Sequence, residues 1–408
     1  MLDLLPAVPY YTGHLCRALA EIRDIDVTLA SATYAHDPRC FDRLGVTPMR
    51  SLISLGHGLR WSALRRIVRL FEMLLNLVLL SVTVVSSRPD VVHVQFTPLL
   101  ERLLPFELWF IRLAKLAGCG IIVTVHNVLP HIPKPRHRSA YARLYELADI
   151  LICHDETAKS RIAQEFPVAP ECTAVVPHGP LFSHMGELTP QQARTELRLP
   201  HNRTLVLWQG IIRPYKGVRF LLQTWQSVAR QHPEALLLIV GTGEDSELQA
   251  IVRHIDELGI GDSVQCVFRF ISVEELKAYH TAADIVVYPY ESITSSGALL
   301  TGMGHGKATV ASALPAFEQL LANECTALVV PFGDRVAWAA ALDRLLSDEP
   351  LRLRIGRALR DSLDRTLSWN DIALSTCCLY RKLAAERAGA RPCPAVTTDV
   401  SNAGGTRP

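Results

Sequence analysis

Leu205-Val-Leu-Trp208-Gln-Gly210-Ile-Ile-Arg213-Pro-Tyr-Lys216-Gly217 begins as an unbroken apolar run, turns at a glycine, places two cations, and closes on a second glycine before an amphipathic stretch over 218–230. A short apolar run bounded by turn residues reads as a buried strand, and a following 3.6-residue periodicity as a helix. Glycine after a strand allows close backbone approach, and cations ahead of a helix N-terminus compensate diphosphate charge. The same residues also suit a plain glycine turn with solvated cations, common in any α/β protein.

Outward from this segment the alternation repeats. Ala235-Leu-Leu-Leu-Ile-Val240, Val264-Gln-Cys-Val-Phe268, Ile285-Val-Val-Tyr288, Thr309-Val-Ala311 and Ala327-Leu-Val-Val330 read as strands downstream. Upstream, Val27-Thr-Leu-Ala30, Val91-Val-His-Val94, Ile121-Ile-Val-Thr-Val125, Ile150-Leu-Ile-Cys153 and Thr173-Ala-Val-Val176 do the same, with helices expected over 102–117, 138–148 and 156–165. Strand-helix alternation implies parallel sheets covered on both faces. A polar interval near 181–200 divides two such units. The expected organisation is a first domain over 1–185, a second over 186–365, a helix over 366–387 crossing back to the first domain, and a disordered tail over 388–408 rich in Gly, Ala, Pro, Ser and Thr.

The 408 residues, 49% hydrophobic and 20% charged, exceed the roughly 250–300 at which single cores stop growing, which again implies two lobes. Forty-two Lys+Arg against 40 Asp+Glu give a formal charge of +2, too near balance for nucleic acid as a partner. Ten cysteines without Cys-x-x-Cys or metal spacing read as thiols in a reducing cytoplasm, and the N-terminus lacks the pattern of a secretion leader. Leu70–Val85 is apolar but interrupted by Glu72 and Asn76, and short of the ~20 residues of a membrane span. It follows Arg60, Arg65, Arg66 and Arg69. This reads equally as a buried helix and as one lying on an anionic membrane surface.

Two further segments carry candidate chemistry. Tyr288-Pro-Tyr-Glu291-Ser-Ile-Thr294-Ser295-Ser296-Gly297 joins a strand to a helix and offers hydroxyls and N–H groups to an anion or sugar, or simply caps the helix. Ile121-Ile-Val-Thr-Val-His126-Asn-Val-Leu-Pro-His131 puts His126 at a strand terminus, where it suits a phosphate or hydroxyl, though a lone histidine is more often structural. His93, inside a strand pattern, fits that structural role. Lys134, Arg136, Arg138 and Arg143 follow with no acidic residue over 108–145.

Pro89-Asp-Val-Val-His-Val-Gln95, Thr124-Val-His-Asn-Val-Leu-Pro-His131, Val176-Pro-His-Gly179, the 210–217 loop, Leu238-Ile-Val-Gly-Thr-Gly-Glu244 and Gly304-x-Gly-Lys-x-x-Val-Ala311 stand in an order that resembles the retaining GT-B glycosyltransferases of family four, especially bacterial exopolysaccharide and capsule enzymes. The resemblance covers about residues 1–385. It implies two Rossmann-like, doubly wound parallel-sheet domains facing across a cleft, and transfer of a hexose from a nucleoside diphosphate sugar to a lipid-linked or saccharide acceptor. By resemblance, Arg213 and Lys216 bind the donor diphosphate, Gly210, Glu291, Thr294, Ser295, Ser296, Gly297 and Thr301 border the donor, His126 lies beside the reacting sugar, and Gly13 in the first loop and His131 border the acceptor. No cofactor or metal is implied.

One departure stands out. The family has two glutamates eight positions apart where this chain carries Ile293 and Thr301, so Thr301 is left a weaker hydroxyl contact and Glu291 is the substitute for the first. The first strand also starts late, as a truncation by start-site choice would leave it. Two other readings remain open: a nucleotide-sugar epimerase, for which Glu291 and Asp155 are the available carboxylates, and a non-catalytic nucleotide-sugar-binding partner in polysaccharide assembly. The expected location is the cytoplasm, with peripheral attachment to the inner face of the plasma membrane.

Overall fold

The computed structural model describes residues 1–5, 7–33, 37–54, 62–130, 133–181, 188–293 and 296–387. Two parallel sheets organise them. In the first half, β1 (Val91–Val94), β2 (Gly120–Val125), β3 (Ile150–Cys153) and β4 (Thr173–Val175) pair in that order. Isolated parallel bridges continue the sheet past β1, from Val94 to Leu2, Leu2 to Ala30, and Leu29 to Pro48. The strand expected over Val27–Ala30 is therefore reduced to bridge residues, Leu29 and Ala30 each pairing at a single position.

Because β1 to β4 are added in one direction, right-handed crossovers put their connecting helices on one face. Helices Ser62–Ser87 and Phe106–Leu116 bury Met73, Leu77, Leu80, Leu108, Ile111 and Ala114 against Ile121, Val123 and Leu151, and helix Pro135–Leu147 adds Tyr141 and Leu144 to the same core. The other face is covered by helices Pro9–Ala20 and Trp369–Arg387, through Tyr11, Leu15, Leu19, Ile372, Cys377 and Leu383. The last helix thus docks on the first sheet. Trp369 anchors it, its indole N–H donating to Pro180 O at 2.8 Å.

The second sheet has the order β10-β9-β8-β5-β6-β7, from β5 (Thr204–Ile211), β6 (Ala235–Thr242), β7 (Val264–Phe268), β8 (Ile285–Tyr288), β9 (Ala308–Ser312) and β10 (Leu328–Val330). Buried on both faces, β5 sends Val206 and Trp208 to one core layer and Leu205 and Leu207 to the other, which is why its sequence is apolar without alternation. The strand order reverses between β5 and β8, and doubly wound sheets bind ligands beyond the carboxyl ends of strands at such a reversal. The loops after β5 and β8 are the 210–217 and 288–297 segments.

Helix boundaries follow local signals. The helix expected over 102–117 starts only at Phe106, after Leu103 turns left-handed at φ 64°. The one expected from 138 starts at Pro135, since proline suits the first helical position. The polar interval contains a short helix, Pro190–Glu196, fixed by reciprocal bonds between Thr189 and Gln192. The 185/186 boundary and the tail over 388–408 lie outside the described residues. The lobes touch through an Arg43–Glu274 ion pair and a hydrogen bond from Gln319 Nε2 to Thr157 Oγ1 at 3.0 Å.

Candidate active site

At the strand reversal of the second sheet, Gly217 holds φ +70° and a Cβ built there would stand 1.7 Å from Pro289 O, so the loops after β5 and β8 meet backbone to backbone. Gly241, at the end of β6, meets Gly210 O in the same way. Lys216 lies against this floor. Its Nζ would be 3.0 Å from a Cβ on Gly210 and stands 5.5 Å from the Tyr290 ring centroid, within cation–π range. Desolvation, then the neighbouring Arg213 charge, pushes its pKa down to about 8. Among the described residues no carboxylate forms an ion pair with it, so an incoming anion would relieve a desolvated cation.

Arg213 is placed differently. Its Nη1 bonds Glu244 Oε1 at 2.7 Å in an exposed ion pair, so this cation, expected at the diphosphate, has the acid of the Gly-Thr-Gly-Glu segment as its present partner. Glu291 is exposed, and its N–H donates to Tyr215 O at 2.7 Å. Ser296 caps helix Gly297–Gly304 by accepting from Leu299 N at 3.2 Å. Thr301 is buried and its hydroxyl donates to Gly297 O at 2.7 Å, within its own helix. Ile293 packs on the apolar core. Thr294, Ser295 and His131 lie outside the described residues.

In the first lobe Gly13 lies within helix Pro9–Ala20, where a Cβ would meet Leu44 Cδ1 at 2.5 Å. The expectation of a loop position is corrected: Pro9 starts the helix early, and the glycine serves helix packing.

His126 sits in a hydrogen-bonded chain drawn from successive strand ends. Tyr380 Oη lies 2.6 Å from His93 Nδ1, and Gln95 Nε2 lies 3.2 Å from His93 Nε2. Gln95 Oε1 lies 3.2 Å from His126 Nε2, His126 Nδ1 lies 3.1 Å from His154 Nε2, and His154 Nδ1 lies 3.1 Å from Val176 O. Proton bookkeeping fixes the tautomers. The carbonyl of Val176 demands Nδ1–H on His154, so His154 Nε2 accepts from His126 Nδ1–H. A neutral His126 then accepts at Nε2, which requires the Gln95 amide to present nitrogen there; amide orientation is assigned by such networks. Burial keeps the rings neutral, lowering His93 to about 3 and His154 to about 4, and His126 well below its usual value with help from His154 and His178.

Tyr11 packs over this edge, its ring centroid 4.9 Å from His126, 5.2 Å from His154 and 4.9 Å from His178. Gln95, His154, His178, Tyr11 and Trp369 escaped the sequence reading as site residues. The signal was positional: Gln95, His126 and His154 directly follow β1, β2 and β3, and His178 follows β4 by three residues. Parallel strands align those positions along one edge. An Asp-x-Asp, Asp24-Ile-Asp26, does occur, but it lines a cavity of about 780 Å³ at the amino edge of the first sheet, at the other end of the strands from these loops. Among the described residues no cluster of three or more His, Cys, Asp or Glu suits a metal.

Residues 8–179 match the glycosyltransferase family 4 model and residues 203–348 the glycosyl transferases group 1 model. The D-inositol 3-phosphate glycosyltransferase of Corynebacterium aurimucosum is 26% identical over 271 residues, 64% of this chain and 64% of that protein. Spore coat protein SA of Bacillus subtilis is 23% identical over 319 residues, 73% of this chain and 79% of that protein. The chain thus spans slightly under two thirds of the length of the first of these. Among solved structures, a glycosyltransferase from Rickettsia africae superposes with a TM-score of 0.70 at 15% identity, covering 94% of this chain and 96% of that one. HepE of Anabaena, solved with UDP-glucose, gives 0.67 at 14% identity, covering 90% and 94%. The chain therefore has the GT-B fold, its first half similar to glycosyltransferase family 4 and its second half to the glycosyl transferases group 1.

Proposed function

We propose that the protein is a retaining hexosyltransferase that moves a hexose from a nucleoside diphosphate sugar to a hydroxyl of a lipid-linked or saccharide acceptor, in cell-surface polysaccharide synthesis in the cytoplasm. The observation that carries this reading is Lys216, a desolvated cation without a carboxylate partner among the described residues, set on a glycine floor at the strand reversal. The UDP and UDP-glucose complexes of HepE support such a donor.

As the glycosidic bond breaks, negative charge grows on the leaving diphosphate. Lys216 would neutralise it, Arg213 would join by exchanging Glu244 for phosphate, and the amino end of helix Gly297–Gly304 adds its partial positive charge. These protein groups, without a metal, supply the electrostatic stabilisation. His126, held by Gln95 and His154, orients the sugar-facing edge of the first lobe. Glu291, two residues before the position of the family's first glutamate, is the polar residue assigned to the donor in its place.

An epimerase needs an acid/base carboxylate; of the two the sequence offers, Asp155 caps a helix, accepting from Ala158 N at 2.6 Å, which leaves the exposed Glu291. The test is to mix purified protein with labelled UDP-hexoses and a lipid extract. Label in an acceptor supports transfer; epimerised donor, or donor bound and returned unchanged across the panel, refutes it.

A further inference from the structure

The first lobe is apolar where one of its helix layers meets water. Helix Ser62–Ser87 turns Met73, Leu77, Leu80 and Val84 into the core, yet Ile67, Phe71, Val78 and Val82 are 67%, 66%, 59% and 65% exposed. At about 100° per residue these four share one narrow stripe. The neighbouring helix Phe106–Leu116 exposes Trp109 and Leu116, 60% and 80%, with Arg112 between them on the same side. Single exposed apolar residues are ordinary, whereas a stripe of four on one helix, with further exposed apolar residues on the helix packed against it, marks an interaction surface.

Charge selects the occupant. The third helix of the layer, Pro135–Leu147, exposes Arg136 and Arg143, and Lys134 precedes it. On these helices Glu72 and Glu107 are buried, leaving Glu146 as the exposed acid among their described side chains. A second copy of this chain would set these uncompensated cations against each other, while anionic headgroups would neutralise them. Trp109, exposed on the neighbouring helix, suits the boundary between acyl chains and headgroups. Contrary to the expectation from Leu70–Val85, the helical stretch Ile67–Ser87 is long and apolar enough to cross a bilayer, but crossing would strip Met73, Leu77 and Leu80 from the sheet, so packing favours a surface position.

We propose that the outer face of helices Ser62–Ser87 and Phe106–Leu116 is a lipid-contact surface that lays the first lobe on an anionic leaflet. It stands on a different observation from sugar transfer and does not require it. Of the arginines singled out in the sequence, Arg60 and the side chains of Arg65 and Arg66 lie outside the described residues, so the cations invoked are Arg112, Lys134, Arg136 and Arg143.

The test is sedimentation of the full chain with phosphatidylcholine vesicles, with or without half phosphatidylglycerol, at low and high salt. Binding is expected only with the anionic vesicles and is lost at high salt. Phe71→Ser with Val82→Ser should weaken it at least tenfold with an unchanged melting temperature. Arg112→Gln, Arg136→Gln and Arg143→Gln together should weaken it about 100-fold, near fivefold per charge. Acyl-brominated lipid should quench fluorescence in the parent and not in Trp109→Phe. Protein left in the supernatant at low salt, or variants that bind like the parent, would overturn the proposal. So would self-association of the lipid-free chain that the serine variants abolish.

Discussion

Substituting Gly217 by alanine tests whether the meeting of the two donor loops matters to binding. The residue holds φ +70°, which costs an alanine about 1–2 kcal/mol. Its Cβ would also stand 1.7 Å from Pro289 O, where Cβ contacts under 3.0 Å are essentially unknown, so the carbonyl must retreat by more than 1 Å. Glu291 follows by two residues and its N–H bond to Tyr215 O, at 2.7 Å, ties the same loops; losing it adds about 0.5–1.5 kcal/mol. Gly217→Ala should therefore destabilise the chain by about 2–4 kcal/mol in urea unfolding and raise the Kd for UDP at least tenfold by titration calorimetry. Gly259 is the control: it holds φ +63° with nothing within 4 Å of a Cβ. Gly259→Ala should carry the backbone penalty alone and bind UDP like the parent. If Gly217→Ala matches Gly259→Ala in both stability and affinity, the loop contact has no role in donor binding.

Lys216→Ala should weaken UDP binding at least tenfold with little change in melting temperature, and Arg213→Ala by less, because Arg213 must first leave Glu244; equal affinities in parent and both variants would remove the phosphate assignment. UDP affinity should hold below pH 7 and fall as pH rises through about 8, since a lowered lysine pKa means loss of charge there, and Lys216→Arg should flatten the profile measured by calorimetry. His126→Ala should lower turnover roughly 100-fold with UDP affinity within a few fold; near-normal turnover would leave His126 a packing residue.

The alternation of apolar runs and amphipathic stretches was enough to locate β1 to β10, because parallel strands buried on both faces are mostly apolar, whereas the run Val27–Ala30 forms only isolated bridges. The 210–217 loop was legible for the same reason: its glycines and cations are adjacent in sequence. What stayed hidden depends on distant partners. Glu244 reaches Arg213 across 31 positions, and the Thr301 hydroxyl is engaged by Gly297 O of its own helix. The histidine edge joins residues from four strands, and no single segment contains more than one link between strands. Helix Ser62–Ser87 read as ambiguous because apolar residues occupy both its inner and its outer face; only packing distinguishes the core face from the exposed one.

The return of helix Trp369–Arg387 to the first sheet has a consequence for the order in which the chain becomes a protein. Tyr380 bonds His93 from 287 positions away, and Leu383 fills the space beside Gly120. At about 5–20 residues per second, that distance is some tens of seconds of synthesis. Throughout that interval the β2 and β3 residues Ile122, Ile150 and Ile152 lack the cover that Ile372, Cys377 and Leu383 later supply. The second lobe, assembled from neighbouring segments, faces no such delay. The lobe made first is thus the one completed last, and a chain stopped before residue 369 would leave the ribosome with that face still open.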